Sequence, residues 1–286
     1  MPELPEVETI VNDLNKKIVG KKITKVDLRL KRIVKSDQDQ FIKTLVGNSF
    51  QKIKRRGKLI IFELNCGDQF LLVHLRMTGQ LIYQKNKKII AGGHSEKKNV
   101  FSFPNKYTHV VFLFQDKSQL FFNDQRQFGV LKIVDKKGLK KETIKLGVEP
   151  LSRDFDFDYF KELLAGKKTN IKSFLLNQKY ISGIGNIYAD EILFMAKVRP
   201  LRKIDSLSIK DKENIFKAIK KILKQAIKYR GTTFNDYLDA EGNIGGFIKK
   251  LKVYKREGLK CKRCDCSIKK TKVAGRGTRY CPKCQK

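Results

Sequence analysis

The second residue of the chain is proline and the third glutamate, in the run Met1-Pro2-Glu3-Leu4-Pro5-Glu6-Val7-Glu8. Once Met1 is removed, the Pro2 ring nitrogen is a free secondary amine. Such amines titrate near about 7.7–8.0, so a useful fraction is an unprotonated nucleophile at neutral pH. It can attack an aldehyde-like carbon and form an imine, with Glu3 beside it to move protons. Read for structure alone, the same residues are a stiff leader, with Glu6 and Glu8 suited to the positive end of a helix. At the other end, Cys261, Cys264, Cys281 and Cys284 form two C-x2-C pairs separated by sixteen residues. Four thiolates so spaced wrap a tetrahedral Zn²⁺ and leave no open coordination position, which makes the ion structural. Cys66 and Cys266 are left over. The basic segment 269–279 between the pairs reads as a hairpin finger, with Arg276 at its tip between Gly275 and Gly277, which allow close approach to phosphate.

Elements must hold these groups in place. Val7, Ile10, Val11, Leu14 and Ile18 recur at helical spacing, so an amphipathic helix closing near Gly20 follows the leader. Residues 23–33, 49–54, 58–64, 70–75, 109–114, 119–123 and 130–134 read as short strands, interrupted by a helix near 39–46, and suggest a β-sandwich or barrel. The Lys-rich segment 85–106 reads as a long loop. Strands stop in the linker 136–150. Beyond it, helices are expected over 155–164, 171–177, 187–196 and around Ile215, Ile219, Ile222 and Ala226, and a mobile loop over 232–247. Gly183-Ile184-Gly185-Asn186 turns into one of these helices, so its backbone N–H groups can face an anion or simply serve packing.

Lys and Arg number 63 against 29 Asp and Glu, a net charge of +34. The imbalance asks for a polyanionic partner, nucleic acid first, although the lysines run through every segment and many are ordinary solvated surface. No apolar run of about 18 residues suggests a membrane span. No secretory signal is visible, and the cysteine usage suits a reducing, cytoplasmic setting.

The opening PELPEVE resembles the N-terminus of bacterial formamidopyrimidine-DNA glycosylases. The resemblance runs the length of the chain, through Arg55-Arg56-Gly57-Lys58, His74-Leu75-Arg76-Met77-Thr78-Gly79, Asn123-Asp124-Gln125-Arg126-Gln127-Phe128-Gly129, Gly183-Ile184-Gly185-Asn186-Ile187-Tyr188 and the four cysteines. It implies an α+β multidomain fold: an N-terminal β-sandwich catalytic domain with flanking helices (1–135), a helical helix–two-turns–helix domain (151–250) and a zinc-ribbon hairpin finger (251–286). It implies a repair enzyme, monomeric, cytoplasmic and nucleoid-associated, acting on double-stranded DNA that carries oxidised purines or abasic sites. One structural Zn²⁺ and no catalytic cofactor are expected.

The resemblance also assigns roles. Pro2 is the nucleophile, Glu3 handles protons, and Lys58 and Arg276 bind phosphate near the chemistry, Lys58 also helping proton transfer. Lys58 by itself would read as an exposed edge lysine. His74, His109, Lys167, Lys172 and Asn186 match DNA-contacting positions, whereas a lone histidine ending an apolar strand is ordinarily structural. Met77, Arg126 and Phe128 by themselves read as core, surface and core. Within the family they fill the space left by an extruded nucleotide, a task that suits a flexible thioether, a planar cation and an aromatic wedge. The rival within the family is the endonuclease VIII branch, specific for oxidised pyrimidines. Leu4 and the Met77, Arg126 and Phe128 set favour the purine branch. A non-catalytic zinc-ribbon DNA-binding protein would explain the charge and the cysteines, but not Pro2-Glu3.

Overall fold

The computed structural model describes residues 1–86, 88–92, 103–232 and 246–286. Residues 1–144 together with 229–248 form one compact unit, and residues 145–228 with 249–286 a second.

The first unit starts with α1 (Leu4–Ile18), which has Pro5 in its first turn and Lys16 and Lys17 in its last, both favourable to the helix dipole. Val7, Ile10, Val11, Leu14 and Ile18 are buried, the face that helical spacing predicts. Two antiparallel sheets follow. One runs β1 (Ile23–Leu28), β7 (Thr108–Phe114), β8 (Gln119–Asp124), β5 (Gly79–Lys85), β6 (Lys88–Gly92); the other runs β2 (Phe50–Arg56), β3 (Leu59–Leu64), β4 (Gln69–His74), β9 (Val130–Asp135). Their inner faces share one core with α1 and α2 (Gln38–Leu45), in which Phe50 of β2 meets Phe62 at 4.8 Å and Phe112 of the other sheet at 6.3 Å. The β-sandwich with flanking helices is therefore present. The outer face of the second sheet is covered by Leu139 of α3 (Lys136–Thr143), packed on Ile61, Leu72 and Val134.

Four sequence readings change in this unit: β5 (Gly79–Lys85) is a strand where none was expected. Residues 23–33 are not one strand: β1 ends at Leu28 and a 3-10 turn, Lys31–Ile33, follows. The supposed loop 85–106 contains β6, whose backbone pairs antiparallel with β5; its residues 87 and 93–102 lie outside the described residues. Part of the expected linker is α3. The supposed loop 232–247 lies outside the described residues except at its ends, where Thr232 and Gly246 form an antiparallel bridge. That segment groups with the first unit rather than with the helices preceding it.

The second unit contains α4 (Phe157–Leu164), α5 (Ile171–Leu176), α6 (Asn186–Ala196) and the 20-residue α7 (Ile209–Lys228). α5 is capped by Asn170, whose side chain accepts from Ser173 N at 2.8 Å. The turn into α6 uses Gly183 at φ +89°, a conformation that glycine adopts without a Cβ penalty. The finger is a hairpin of β10 (Lys269–Val273) and β11 (Arg276–Tyr280), turning through Ala274 and Gly275, both at positive φ, as a two-residue hairpin turn of this hand requires. Among the described residues, no helix is long and apolar enough to cross a membrane.

Candidate active site and nucleic-acid interface

In the first unit, Pro2 and Glu3 are buried at the head of α1. The Glu3 N–H donates to the Glu6 carboxylate at 2.9 Å. The other oxygen of that carboxylate accepts from Thr232 N at 2.7 Å and Thr232 Oγ1 at 3.0 Å. Gly231, at φ +82°, leaves room for Glu6: a Cβ there would lie 2.7 Å from Glu6 Oε1. With Met1 in place the Pro2 nitrogen is an amide, and the free amine is that of Met1. Burial pushes that amine below its ordinary range; Glu3 and Glu6 oppose the shift, and Lys58 and Arg126 reinforce it. Two carboxylates and two cations thus act on the charge of the terminus, and Glu3, Lys58 and Arg126 among them are candidates from sequence.

Lys58 is buried at the turn between β2 and β3. The turn is held to α1 by Arg55, whose Nε donates to Glu8 at 2.7 Å and whose Nη1 donates to Gly57 O at 3.1 Å. His74 ends β4, and its Nδ1 accepts from Arg76 N at 3.1 Å, which leaves the proton on Nε2. Burial first, then the Arg76 and Lys58 charges, lower its pKa to about 3, so it is a neutral donor at physiological pH.

Met77, Arg126 and Phe128 sit on two loops tied by one carboxylate that the sequence reading did not single out. Asp124, fully buried, accepts from Thr78 Oγ1, from Arg126 N at 3.2 Å and from Gly129 N at 2.6 Å. Thr78 Oγ1 also accepts from Arg126 N at 3.0 Å. Phe128 is 53% exposed, which rules out the core reading. The Arg126 guanidinium lies 4.8 Å from the centre of its ring. His109 departs from expectation: it is buried, and its Nε2 is committed to Asp124 O at 2.7 Å. It braces the 124–129 loop instead of facing outward through that nitrogen.

In the second unit, Asn186 opens α6, and its Nδ2 donates to Gly277 O at 2.9 Å, which brings the turn and the hairpin tip together. Its Oδ1 is buried and has no donor among the described residues. Arg276 is exposed, and Lys167 lies over the Tyr180 ring at 5.2 Å. Lys172 departs most from expectation. It is wholly buried, with its ammonium 2.6 Å from Asp190 Oδ1 and 2.7 Å from Thr278 Oγ1, so it cannot touch DNA directly.

The sulfur atoms of Cys261, Cys264, Cys281 and Cys284 all lie within 4.8 Å of one another. Tetrahedral Zn–S bonds of about 2.3 Å need sulfur separations of about 3.8 Å, and the Cys261–Cys284 pair stands at 3.9 Å. Backbone N–H groups of Arg263 and Cys284 point at Cys261 and Cys281 sulfur at 3.4 Å. A hydrogen bond from the Cys266 backbone brings the Cys264 thiol to about 7, while burial pushes Cys284 up to about 12. Crowded thiols of this kind ionise together only around a cation. Cys266 is not among the four.

Models of the formamidopyrimidine-DNA glycosylase N-terminal domain, H2TH domain and the zinc finger found in FPG and IleRS match residues 1–131, 146–237 and 258–286. Formamidopyrimidine-DNA glycosylase of Carboxydothermus hydrogenoformans is 44% identical over 287 residues, covering all of both chains. The chain belongs to the formamidopyrimidine-DNA glycosylase family. A relative from Listeria monocytogenes is 40% identical, again over the whole of both chains. Among solved structures, a Lactococcus lactis FPG mutant bound to Fapy-dG containing DNA is 36% identical with a TM-score of 0.89, both chains covered completely. A complex of the Lactococcus lactis enzyme with abasic-site DNA gives 35% and 0.87, with 99% of each chain covered. The four-cysteine cluster is the family's structural zinc site. The family motifs contain the residues that sequence reasoning passed over: Asp124 stands two before Arg126, Glu8 closes PELPEVE, and Arg55 opens the run ending in Lys58.

Proposed function

We propose that the chain is a bifunctional DNA glycosylase and abasic lyase of base excision repair, acting on formamidopyrimidines and 8-oxoguanine in duplex DNA. It works as a monomer in the cytoplasm, at the nucleoid. The observation that carries this reading is the head of α1, where Pro2 and Glu3 are both buried and the Glu6 carboxylate joins Glu3 N to Thr232. With Met1 gone, the Pro2 nitrogen attacks the sugar C1′. The C1′–N bond breaks with its electron pair leaving on the base, and Glu3 moves the proton that the departing base and opening sugar require. The iminium at C1′ acidifies the C2′ hydrogen. Its loss expels the 3′ phosphate, and a second elimination expels the 5′ phosphate.

In this reading Lys58 and His74 meet phosphate, Lys58 as a cation and His74 as a neutral N–H donor, which its lowered pKa supports. Asn186, Lys167 and Arg276 supply phosphate contacts from the second unit, and Arg126, Met77 and Phe128 fill the vacated stack. In this reading residues 1–135 carry catalysis, 151–250 the helix–two-turns–helix grip and 251–286 the finger. Borohydride should trap the protein on an abasic duplex, and intact mass should show the trapped species lacking Met1. A fully trappable preparation that retains Met1 would refute the nucleophile assignment. Faster excision of thymine glycol than of 8-oxoguanine would move the chain to the pyrimidine branch.

A further inference from the structure

The buried lysine of the second unit has a task that direct DNA contact does not describe. Arg276 stands at the start of β11, five residues from the zinc ligand Cys281. At about 3.3 Å per residue that is roughly 17 Å of strand. A tilt of about 10° at the zinc would displace the tip by about 3 Å over that length, enough to lose a phosphate contact. Two-stranded hairpins are marginal by themselves, so the zinc site alone does not aim the tip.

Side chains from α5 and α6 hold β11 at successive residues. Asn186 Nδ2 donates to Gly277 O at 2.9 Å. Lys172 Nζ donates to Thr278 Oγ1 at 2.7 Å, and Thr278 Oγ1 donates onward to Arg276 O at 3.1 Å. Asp190 accepts from Lys172 through Oδ1 at 2.6 Å and from Arg279 N through Oδ2 at 2.9 Å. Lys172, Asp190 and Thr278 are all fully buried. A buried ion pair is a poor source of net stability, because desolvating two charges offsets their attraction. Its geometry is nevertheless strict, and here both members end on the strand that carries Arg276.

We propose that Lys172 is a positioning residue: paired with Asp190, it clamps Thr278 and Arg279 and thereby aims Arg276 at a DNA phosphate. This rests on the reading of Arg276 as a DNA contact. The test measures affinity for a duplex containing a tetrahydrofuran abasic analogue, over a range of salt, with zinc content checked for every protein. The proteins are native, Arg276→Ala, Thr278→Val, Thr278→Ser, Lys172→Met and the Arg276→Ala/Thr278→Val double variant.

Arg276→Ala should weaken binding about tenfold and reduce the salt slope by about one ion. Thr278→Val should reproduce most of that loss and the same slope change, and Thr278→Ser, which keeps the hydroxyl, should bind as the native protein does. In the Arg276→Ala background Thr278→Val should add less than about twofold, the non-additivity of residues acting through one contact. Lys172→Met should follow Thr278→Val wherever its zinc content is native; where zinc is lost, the Thr278 variants decide. Losses that multiply in the double variant, or a Thr278→Val protein with native affinity beside a weakened Arg276→Ala, would overturn the clamp while leaving the Arg276 contact standing. An Arg276→Ala protein with native affinity and slope would overturn both.

Discussion

Replacing Phe128 by Ala separates a DNA wedge from a core residue. A phenylalanine buries on the order of 200 Å² when fully enclosed, but Phe128 is 53% exposed, so about half of that is at stake. At about 25 cal/mol per Å² the truncation costs at most about 2 kcal/mol of stability, an upper bound because the unfolded chain is itself partly compact. The Arg126 guanidinium 4.8 Å from the ring adds about 0.5–1 kcal/mol at an exposed site. Phe122 on β8 is fully buried, and the same change there should cost about 3–5 kcal/mol. For DNA the order reverses. Phe128→Ala should lower affinity for an abasic-analogue duplex by about 1–3 kcal/mol, the scale of lost base stacking, or roughly five- to 150-fold. Intact duplex, held mainly by phosphate contacts, should lose much less. Thermal melts of both variants beside anisotropy titrations with the two duplexes at fixed salt make the comparison. A melting drop in Phe128→Ala as large as in Phe122→Ala, or equal losses on both duplexes, would refute the reasoning.

Asp124→Asn keeps the shape but removes the charge and one acceptor from three donors. It should cost about 1–3 kcal/mol of stability and weaken lesion binding while sparing intact duplex; native lesion selectivity would show that the two loops do not depend on it. His74 binds a proton in the unfolded chain below about 6.5 but in the fold only near about 3. Its contribution is therefore present above 6.5 and lost as pH falls toward 3, at a slope on the order of 1 kcal/mol per pH unit. The difference between native and His74→Gln stability curves should show that slope, and parallel curves would count against the buried neutral imidazole. Chelation should release about one zinc per chain and abolish DNA binding with the sandwich still folded, which circular dichroism and metal analysis can check; full affinity in metal-free protein would refute the finger's role.

What the sequence disclosed was local. The helical spacing of Val7 to Ile18, the strand-like runs and the two C-x2-C pairs are patterns of near neighbours, and α1, β2 to β4, β7 to β9 and the cysteine cluster stand where those patterns put them. What it hid depends on distant residues. Lys172 matches a DNA-contacting position in sequence, but Asp190 and Thr278, the latter 106 positions away, enclose it. His109 turns inward because Asp124 O receives its ring nitrogen. Residues 88–92 read as loop because lysine-rich composition outweighed Ile89 and Ile90, yet β5 offers them an edge to pair with. Phe128 went the other way: an aromatic beside a strand reads as core, and only the short 124–129 loop turns it outward.

The return of residues 229–248 to the first unit has a consequence for the order of events during synthesis. The Glu6 carboxylate that fixes the head of α1 finds Thr232 only 226 residues later, and Asp13 finds Arg230 after 217. At about 5–20 residues per second, roughly ten to fifty seconds pass between the emergence of the terminus and that of the residues that pin it. During this interval α1 lacks the Thr232 and Arg230 contacts that hold it in the folded chain. Afterwards Glu6 and Asp13 are held by Thr232 and Arg230. The head of α1 is therefore completed late, by residues that emerge only after the whole sandwich has been made.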